Sequence, residues 1–396
     1  MPGFELFGDK ERESVQKALE TGVLMRYGFD AMRGGRWMAR ELETALAQRM
    51  QAGHAHLVSS GTAALTVALA SAGVGAGDEV ILPTFTFVAS FEAVLALGAV
   101  PVLCDIDDTL TLDTEAVRRA VSKHTKVIMP VHMCGSMADL GALKSIADQH
   151  GLLLLEDACQ AIGGTYKGKP LGSFGHIGCF SFDYVKTITC GEGGALITHS
   201  EEIYEKAQAF SDHGHDHVGT DRGAEGHPYL GFNYRISELN AAVGLAQLAR
   251  LDDFLGKQKA HYARLREAIS GLPGITFRRV PEGGVENYSF LNFFLPDENT
   301  ARKARQALTA AGVDGVFYWF DNNWHYHRRW DHLKELRSLY PLPEATRERF
   351  LRRNKRDFSA SDHWMGRNLS VLIKLGWDGH QLETRARAMA QALSSL

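Results

Sequence analysis

The 396 residues carry 43 Lys and Arg against 47 Asp and Glu, a formal charge of −4, with 45% hydrophobic and 23% charged residues. That balance suits a globular chain large enough for two domains and lacks the basic excess of a general nucleic-acid binder. No run approaches the roughly eighteen apolar residues of a membrane span, residues 1–5 have neither a basic nor an apolar secretory region, and the five cysteines form no CxxC pair, so a cytoplasmic protein with reduced thiols and no zinc site is expected.

Residues 9–20 and 37–51 read as amphipathic helices. Between them a glycine-rich loop holds Arg26, Arg33 and Arg36, either a solvated surface or a clamp for an anionic substrate. His56-Leu57-Val58 is a short strand that breaks at Ser60-Gly61-Thr62-Ala63 into an Ala-rich helix. The free N–H groups of such a helix start suit a phosphate, although Ser-Gly-Thr is also an ordinary N-cap sequence. Strands follow at Glu79–Pro83 and at residues 100–105, 126–132 and 152–156, with helices between them. This alternation, over about residues 55–200, predicts an α/β fold: a mostly parallel sheet with helices on both faces and ligands beyond the strands' C-terminal ends. Ser60, Phe87, His132, Asp157 and Lys186 all fall at or just past such ends.

After a helix beyond residue 200 comes Ser211-Asp212-His213-Gly214-His215-Asp216-His217. Three close histidines invite a metal, but no partner cluster accompanies them. A mobile loop over the site is the expectation, with His215 a candidate substrate contact and no metal. Gly231-Phe232-Asn233-Tyr234-Arg235 precedes a helix over 239–251. From about residue 258 the pattern becomes a helix, strands over 275–279 and 288–295, and a helix over 301–311. This predicts a large domain, 1–257, and a smaller α+β domain, 258–396. Residues 316–327 are dense in aromatics, which are core or the lining of a sugar pocket; Tyr318 is the candidate contact. Residues 328–360 are rich in charge and read as surface, and the last helix spans about 379–394.

Lys186 sits in the aromatic run Phe180-Ser181-Phe182-Asp183-Tyr184-Val185, followed by the turn Gly191-Glu192-Gly193-Gly194 and a strand. Upstream, an apolar strand ends in Glu156-Asp157-Ala158-Cys159-Gln160. A lysine held near a carbonyl can form a Schiff base, and a carboxylate can keep a pyridine nitrogen protonated. Together the two are what pyridoxal phosphate (PLP) needs.

With Ser60-Gly61-Thr62, residues 156–160, Lys186 with Gly191-Glu192-Gly193-Gly194, and residues 231–235 in this order, the chain resembles the DegT/DnrJ/EryC1/StrS family over nearly its whole length. The resemblance implies a fold-type I PLP-dependent transferase with a seven-stranded-type sheet, acting as a sugar aminotransferase through pyridoxal and pyridoxamine phosphate. It implies a homodimer with active sites at the interface. By the same resemblance Lys186 bonds the cofactor and shuttles the proton, Asp157 pairs with the pyridine nitrogen, and Gln160 contacts the ring hydroxyl. Thr62, Ala63 and Ser181 match phosphate-binding positions, Asn233 the one that reaches the neighbouring subunit's phosphate, and Phe87 the aromatic stacked on the ring. Many members have histidine where this chain has Asp183, and related sugar dehydratases carry histidine in place of the lysine; Lys186 therefore favours transamination. Segments 1–8, 211–217 and 317–325 are similar to those of members that aminate a carboxylated eight-carbon sugar, which implies an 8-aldehyde acceptor and glutamate as donor. Arg26, Arg33 and Arg36 would suit such an anion. A nucleotide-linked keto-sugar or a cyclitol as acceptor, a PLP-dependent dehydratase or oxidase, and a non-catalytic PLP-binding regulator are the other readings.

Overall fold

The computed structural model describes residues 3–219 and 223–395. Its centre is a seven-stranded sheet built from β1 (His54–Val58), β2 (Glu79–Pro83), β3 (Val100–Cys104), β4 (Thr125–Ile128), β5 (Leu153–Asp157), β6 (Ile177–Ser181) and β7 (Gly194–Thr198). The spatial order is β1-β7-β6-β5-β4-β2-β3, and only β7 runs against its neighbours. The sheet is therefore mostly parallel, as the alternating pattern predicts. Its strands are buried and mostly apolar because both faces are covered: all five residues of β2, β3 and β7 are buried. The helix Gly61–Ser71 shows the same logic, with nine of eleven residues buried and Ser60 capping its start.

A second sheet of four strands has the order Thr276–Phe277, Phe290–Phe294, Asn368–Leu372 and Val316–Phe317. Helices Leu251–Ile269, Glu298–Ala310 and Gly379–Ser394 pack around it. The expected helix over 239–251 is instead Glu238–Leu248, and a new helix begins at Leu251 and runs through residues 257 and 258. Sequence periodicity also passes over Asn368–Leu372, which is the strand that bridges Phe290–Phe294 to Val316–Phe317.

Residues 328–360 are mostly exposed, as their charge predicts, but a few apolar side chains anchor them inward. Trp330 is fully buried, and Phe350 and Phe358 join the apolar core around the seven-stranded sheet. Helix Glu344–Asn354 lies against β3, where the Asn354 side chain accepts the Leu103 N–H at 2.8 Å and donates to the Pro101 carbonyl at 2.9 Å. One amide thus satisfies the edge of the sheet that would otherwise be open. A helix that buries little more than Phe350 leaves almost no apolar period to read.

Candidate active site

The C-terminal ends of β5 and β6 and the start of helix Gly61–Ser71 meet beside the four-stranded sheet and line a cavity of about 560 Å³. Ser60 Oγ accepts the Ala63 N–H at 3.0 Å, so the serine caps the helix while its first N–H groups face outward. Close packing sets this position. A Cβ on Gly194 would lie 2.2 Å from the Ser60 carbonyl, and one on Gly61 would lie 2.7 Å from Ser181 Cβ. Gly61, Thr62 and Ser181 line the cavity, and Ala63 stands one residue deeper, buried.

At the end of β5, side-chain alternation sends neighbouring carboxylates to opposite faces. Glu156 turns away: its oxygens accept N–H groups from Gly172, Phe174 and Gly175 at 2.9, 2.7 and 2.7 Å, and one lies 2.8 Å from His132 Nε2. Asp157 faces the cavity at 4% exposure. Its Oδ2 accepts the Ser90 hydroxyl at 2.8 Å, Ser90 Oγ lies 2.6 Å from Thr86 Oγ1, and its Oδ1 accepts the Cys159 N–H at 3.2 Å. The carboxylate is thus aimed by bonds from two separate segments. Burial, and then the charge of Asp157, push the Cys159 thiol well above its ordinary range, so it is no nucleophile here.

Lys186 hangs on the loop between β6 and β7. The Phe182 N–H bonds the Gly193 carbonyl and the Cys190 N–H the Phe182 carbonyl, each at 2.8 Å, which closes the base of the loop. The N-terminal turn Gly3–Leu6 clamps the tip: the Gly3 N–H donates to the Lys186 carbonyl at 2.8 Å, and the Phe4 ring stacks on Tyr184 at 4.3 Å. Phe4 and Glu5 line the cavity with Lys186. Gln160 lines it too, its Oε1 held by the Cys134 N–H at 2.9 Å. Phe87 lines the opposite wall and is backed by Trp324, with rings 5.7 Å apart and 5° from parallel.

Other expectations need correction. Arg26 is buried against Glu43, whose charge outweighs the cost of burial and holds the guanidinium's pKa above its usual value. Arg33 is buried on the Gly28 and Met25 carbonyls, and Arg36 pairs with Glu20 on the surface. None of the three lines the cavity, so they form no anion clamp there. His132 is buried on Glu156, His215 Nδ1 sits 2.9 Å from Glu225 Oε2, and the Tyr318 hydroxyl donates to the Gly366 carbonyl at 2.9 Å; these three also lie outside the cavity wall. Asn233 is exposed, away from this chain's cavity. Tyr318 has the wrong parity. Its neighbours Phe317 and Trp319 line the cavity, joined by Asn322 and His325, which no sequence pattern singled out. The available signal was Asn322-Asn323-Trp324, an Asx turn in which Asn322 Oδ1 accepts the Trp324 N–H at 2.9 Å.

Residues 8–352 match the family described as DegT/DnrJ/EryC1/StrS aminotransferases. The chain belongs to that family. It is 40% identical to 3-amino-5-hydroxybenzoate synthase of Amycolatopsis mediterranei over 72% of this chain and 70% of that one. It is 36% identical to GDP-perosamine synthase of Vibrio cholerae over 73% of this chain and 75% of that one. A solved aminotransferase from Psychrobacter cryohalolentis superposes with a TM-score of 0.85 at 26% identity, covering 98% of each chain. As a family member the chain is a fold-type I, PLP-dependent aminotransferase. The residues present fit that cofactor. A helix start with two hydroxyls suits its phosphate, buried Asp157 its ring nitrogen, and Lys186 its aldehyde. Among the described residues no His, Cys, Asp and Glu group could hold a metal, and no helix is long and apolar enough to cross a membrane.

Proposed function

We propose that this chain moves the amino group of L-glutamate to the aldehyde of a carboxylated eight-carbon sugar, giving 8-amino-3,8-dideoxy-manno-octulosonate, a lipopolysaccharide sugar, in the cytoplasm. The observation that carries the transamination is one cavity with Asp157 and Lys186 in its wall. Bound PLP supplies the electron sink. Asp157, aimed by Ser90 and the Cys159 N–H, holds a proton on the ring nitrogen. Lys186 Nζ would take the proton from the donor's Cα and deliver it to the carbon of the cofactor's former aldehyde, two bonds away, and in the second half it would work in reverse. Phe87, backed by Trp324, keeps the ring flat, while the helix start with Thr62 and Ser181 anchors the phosphate.

The eight-carbon acceptor is supported by the likeness of segments 1–8 and 317–325 to members with that substrate. These segments supply Phe4, Glu5, Phe317, Trp319, Asn322 and His325 to the cavity; Met1 and Pro2 lie outside the described residues. A nucleotide-linked keto-sugar is the second reading, favoured by the likeness to GDP-perosamine synthase. A homodimer that shares its sites is part of the proposal. It is supported by exposed Tyr229, Leu230 and Phe232 next to Asn233, the residue assigned to the partner's phosphate. In the proposed division, 1–257 would carry the cofactor anchors and 258–396 most of the substrate wall, with Phe4 and Glu5 joining that wall and residues 330–358 packing back onto the first core.

The absorbance spectrum before and after glutamate, without acceptor, tests the donor half. Formation of pyridoxamine phosphate and 2-oxoglutarate is expected, and a spectrum that ignores glutamate rejects that donor. Eight-carbon aldehyde acids compared with nucleotide-linked keto-sugars then decide the acceptor. Sedimentation at the mass of one chain would reject the shared site.

A further inference from the structure

The small-domain wall of the cavity ends in a polar group that the cofactor anchors leave unused. Residues 324–327 run beside residues 84–88. The N–H groups of Thr86 and Val88 donate to the His325 and Trp324 carbonyls at 3.0 Å each, and the His327 N–H donates to the Thr84 carbonyl at 3.1 Å. These bonds fix the His325 ring in the cavity wall, 4.6 Å from the Trp319 ring and 5.3 Å from that of Phe87, centre to centre.

Asn322 then fixes which ring nitrogen carries hydrogen. Its side chain meets the backbone N–H of Trp324 at 2.9 Å, and only the amide oxygen can accept there. The same oxygen lies 2.9 Å from His325 Nδ1, so Nδ1 must be the donor. Nε2 is left as a lone pair, and among the described residues it has no hydrogen-bond partner. Burial first, and the positive charge of Lys186 second, lower the ring's pKa to about 3, which favours the neutral ring with its lone pair on Nε2. The half-buried ring thus presents to the cavity an acceptor that no protein donor meets.

We propose that His325 Nε2 accepts a hydrogen bond from a hydroxyl of the acceptor sugar, and that the Asn322–His325 pair is a specificity determinant of the second half-reaction. The inference rests on the aminotransferase reading above. A neutral imidazole cannot pair with a carboxylate through a lone pair, whereas a hydroxyl supplies the one hydrogen it lacks, and Trp319 beside it offers a flat apolar face to the sugar's C–H groups. A site built around such a bond discriminates against analogues without the hydroxyl, because the bound sugar shuts water out and leaves the lone pair unmet.

Two variants test this. His325→Phe keeps a ring and removes the acceptor; His325→Gln keeps an acceptor. Conversion of the enzyme by glutamate alone should stay within about twofold of wild type in both. The half-reaction with sugar should slow about 10- to 100-fold in His325→Phe and largely recover in His325→Gln. Equal slowing of both half-reactions, or an unaltered sugar half-reaction in His325→Phe, overturns the proposal. Two readouts do not depend on turnover. Nitrogen-15 NMR should show Nε2 unprotonated between about pH 5 and 8, and an Nε2–H signal overturns the assignment. Calorimetry with 3-deoxy-manno-octulosonate, whose 8-hydroxyl replaces the aldehyde, should find weaker binding to His325→Phe, and equal binding overturns it. A wild-type enzyme that glutamate does not convert rejects the donor instead, and these two measurements still decide the role of His325.

Discussion

The two walls of the cavity are built in different ways. On the large-domain side, strand ends and a helix start hold the chemistry: Asp157 closes β5, Ser181 closes β6, and Ser60 caps Gly61–Ser71. Opposite them, Phe317 ends the short strand Val316–Phe317, Trp319 is held by the Ser370 hydroxyl, and Asn322 and His325 come from the irregular stretch after them, tied to residues 84–88. Regular elements fix a reacting group to a fraction of an ångström, whereas a loop can change its side chains without disturbing the sheet. The first wall therefore suits the unchanging cofactor, and the second the substrate.

Substitutions can break this division, and the largest effect belongs to the first wall. Lys186→Ala should abolish steady-state transamination while circular dichroism and melting stay near wild type; sustained turnover by that variant would remove the lysine from its role. Asp157→Asn should slow the glutamate half-reaction by roughly 10²–10³-fold, the scale of removing one preorganised charge at a reacting centre. Unchanged kinetics would place the ring-nitrogen partner elsewhere.

The second wall should show itself through pH and stability. His325 has its pKa lowered from 6.5 to about 3 in the folded chain, so between those values the unfolded chain binds the extra proton. Stability is then complete above about pH 6.5 and falls as pH drops toward 3, by about 1.4 kcal/mol per unit. Relative to His325→Phe, wild type should lose about 2 kcal/mol more between pH 7 and pH 5 in urea titrations; parallel losses would mean that the ring titrates normally. The smallest effect joins the two walls. Ser90→Ala removes one hydrogen bond to the Asp157 carboxylate and should slow the glutamate half-reaction about three- to tenfold while the KM for sugar holds. A change confined to that KM would place Ser90 with the substrate.

How much of this was legible in the sequence follows the same division. Asp157, Lys186 and Ser60 stand at places where periodicity breaks, so strand and helix signals point to them. Ser90 is hidden because its partner lies 67 positions away and becomes visible only when strands stack. Phe317 and Trp319 were missed in favour of Tyr318 because a two-residue strand is too short for its alternation to show which face points inward. Arg26 and Arg33 misled for the opposite reason: glycines around them suggested an open loop, but Glu43 and backbone carbonyls draw both guanidinium groups inside. His132 looked like a rim residue and is a fastener for Glu156.

The ribbon that ties residues 324–327 to residues 84–88 has a consequence for assembly of the molecule. A chain whose central sheet has formed while residues 316–327 remain undocked already owns its lysine, its carboxylate and its phosphate cradle, but Phe87 then lacks the Trp324 ring behind it. Such a species could take up the coenzyme and still have no means of telling one sugar from another. Docking of the ribbon both backs the Phe87 ring and installs the imidazole, so the same few backbone bonds hold a part of each wall.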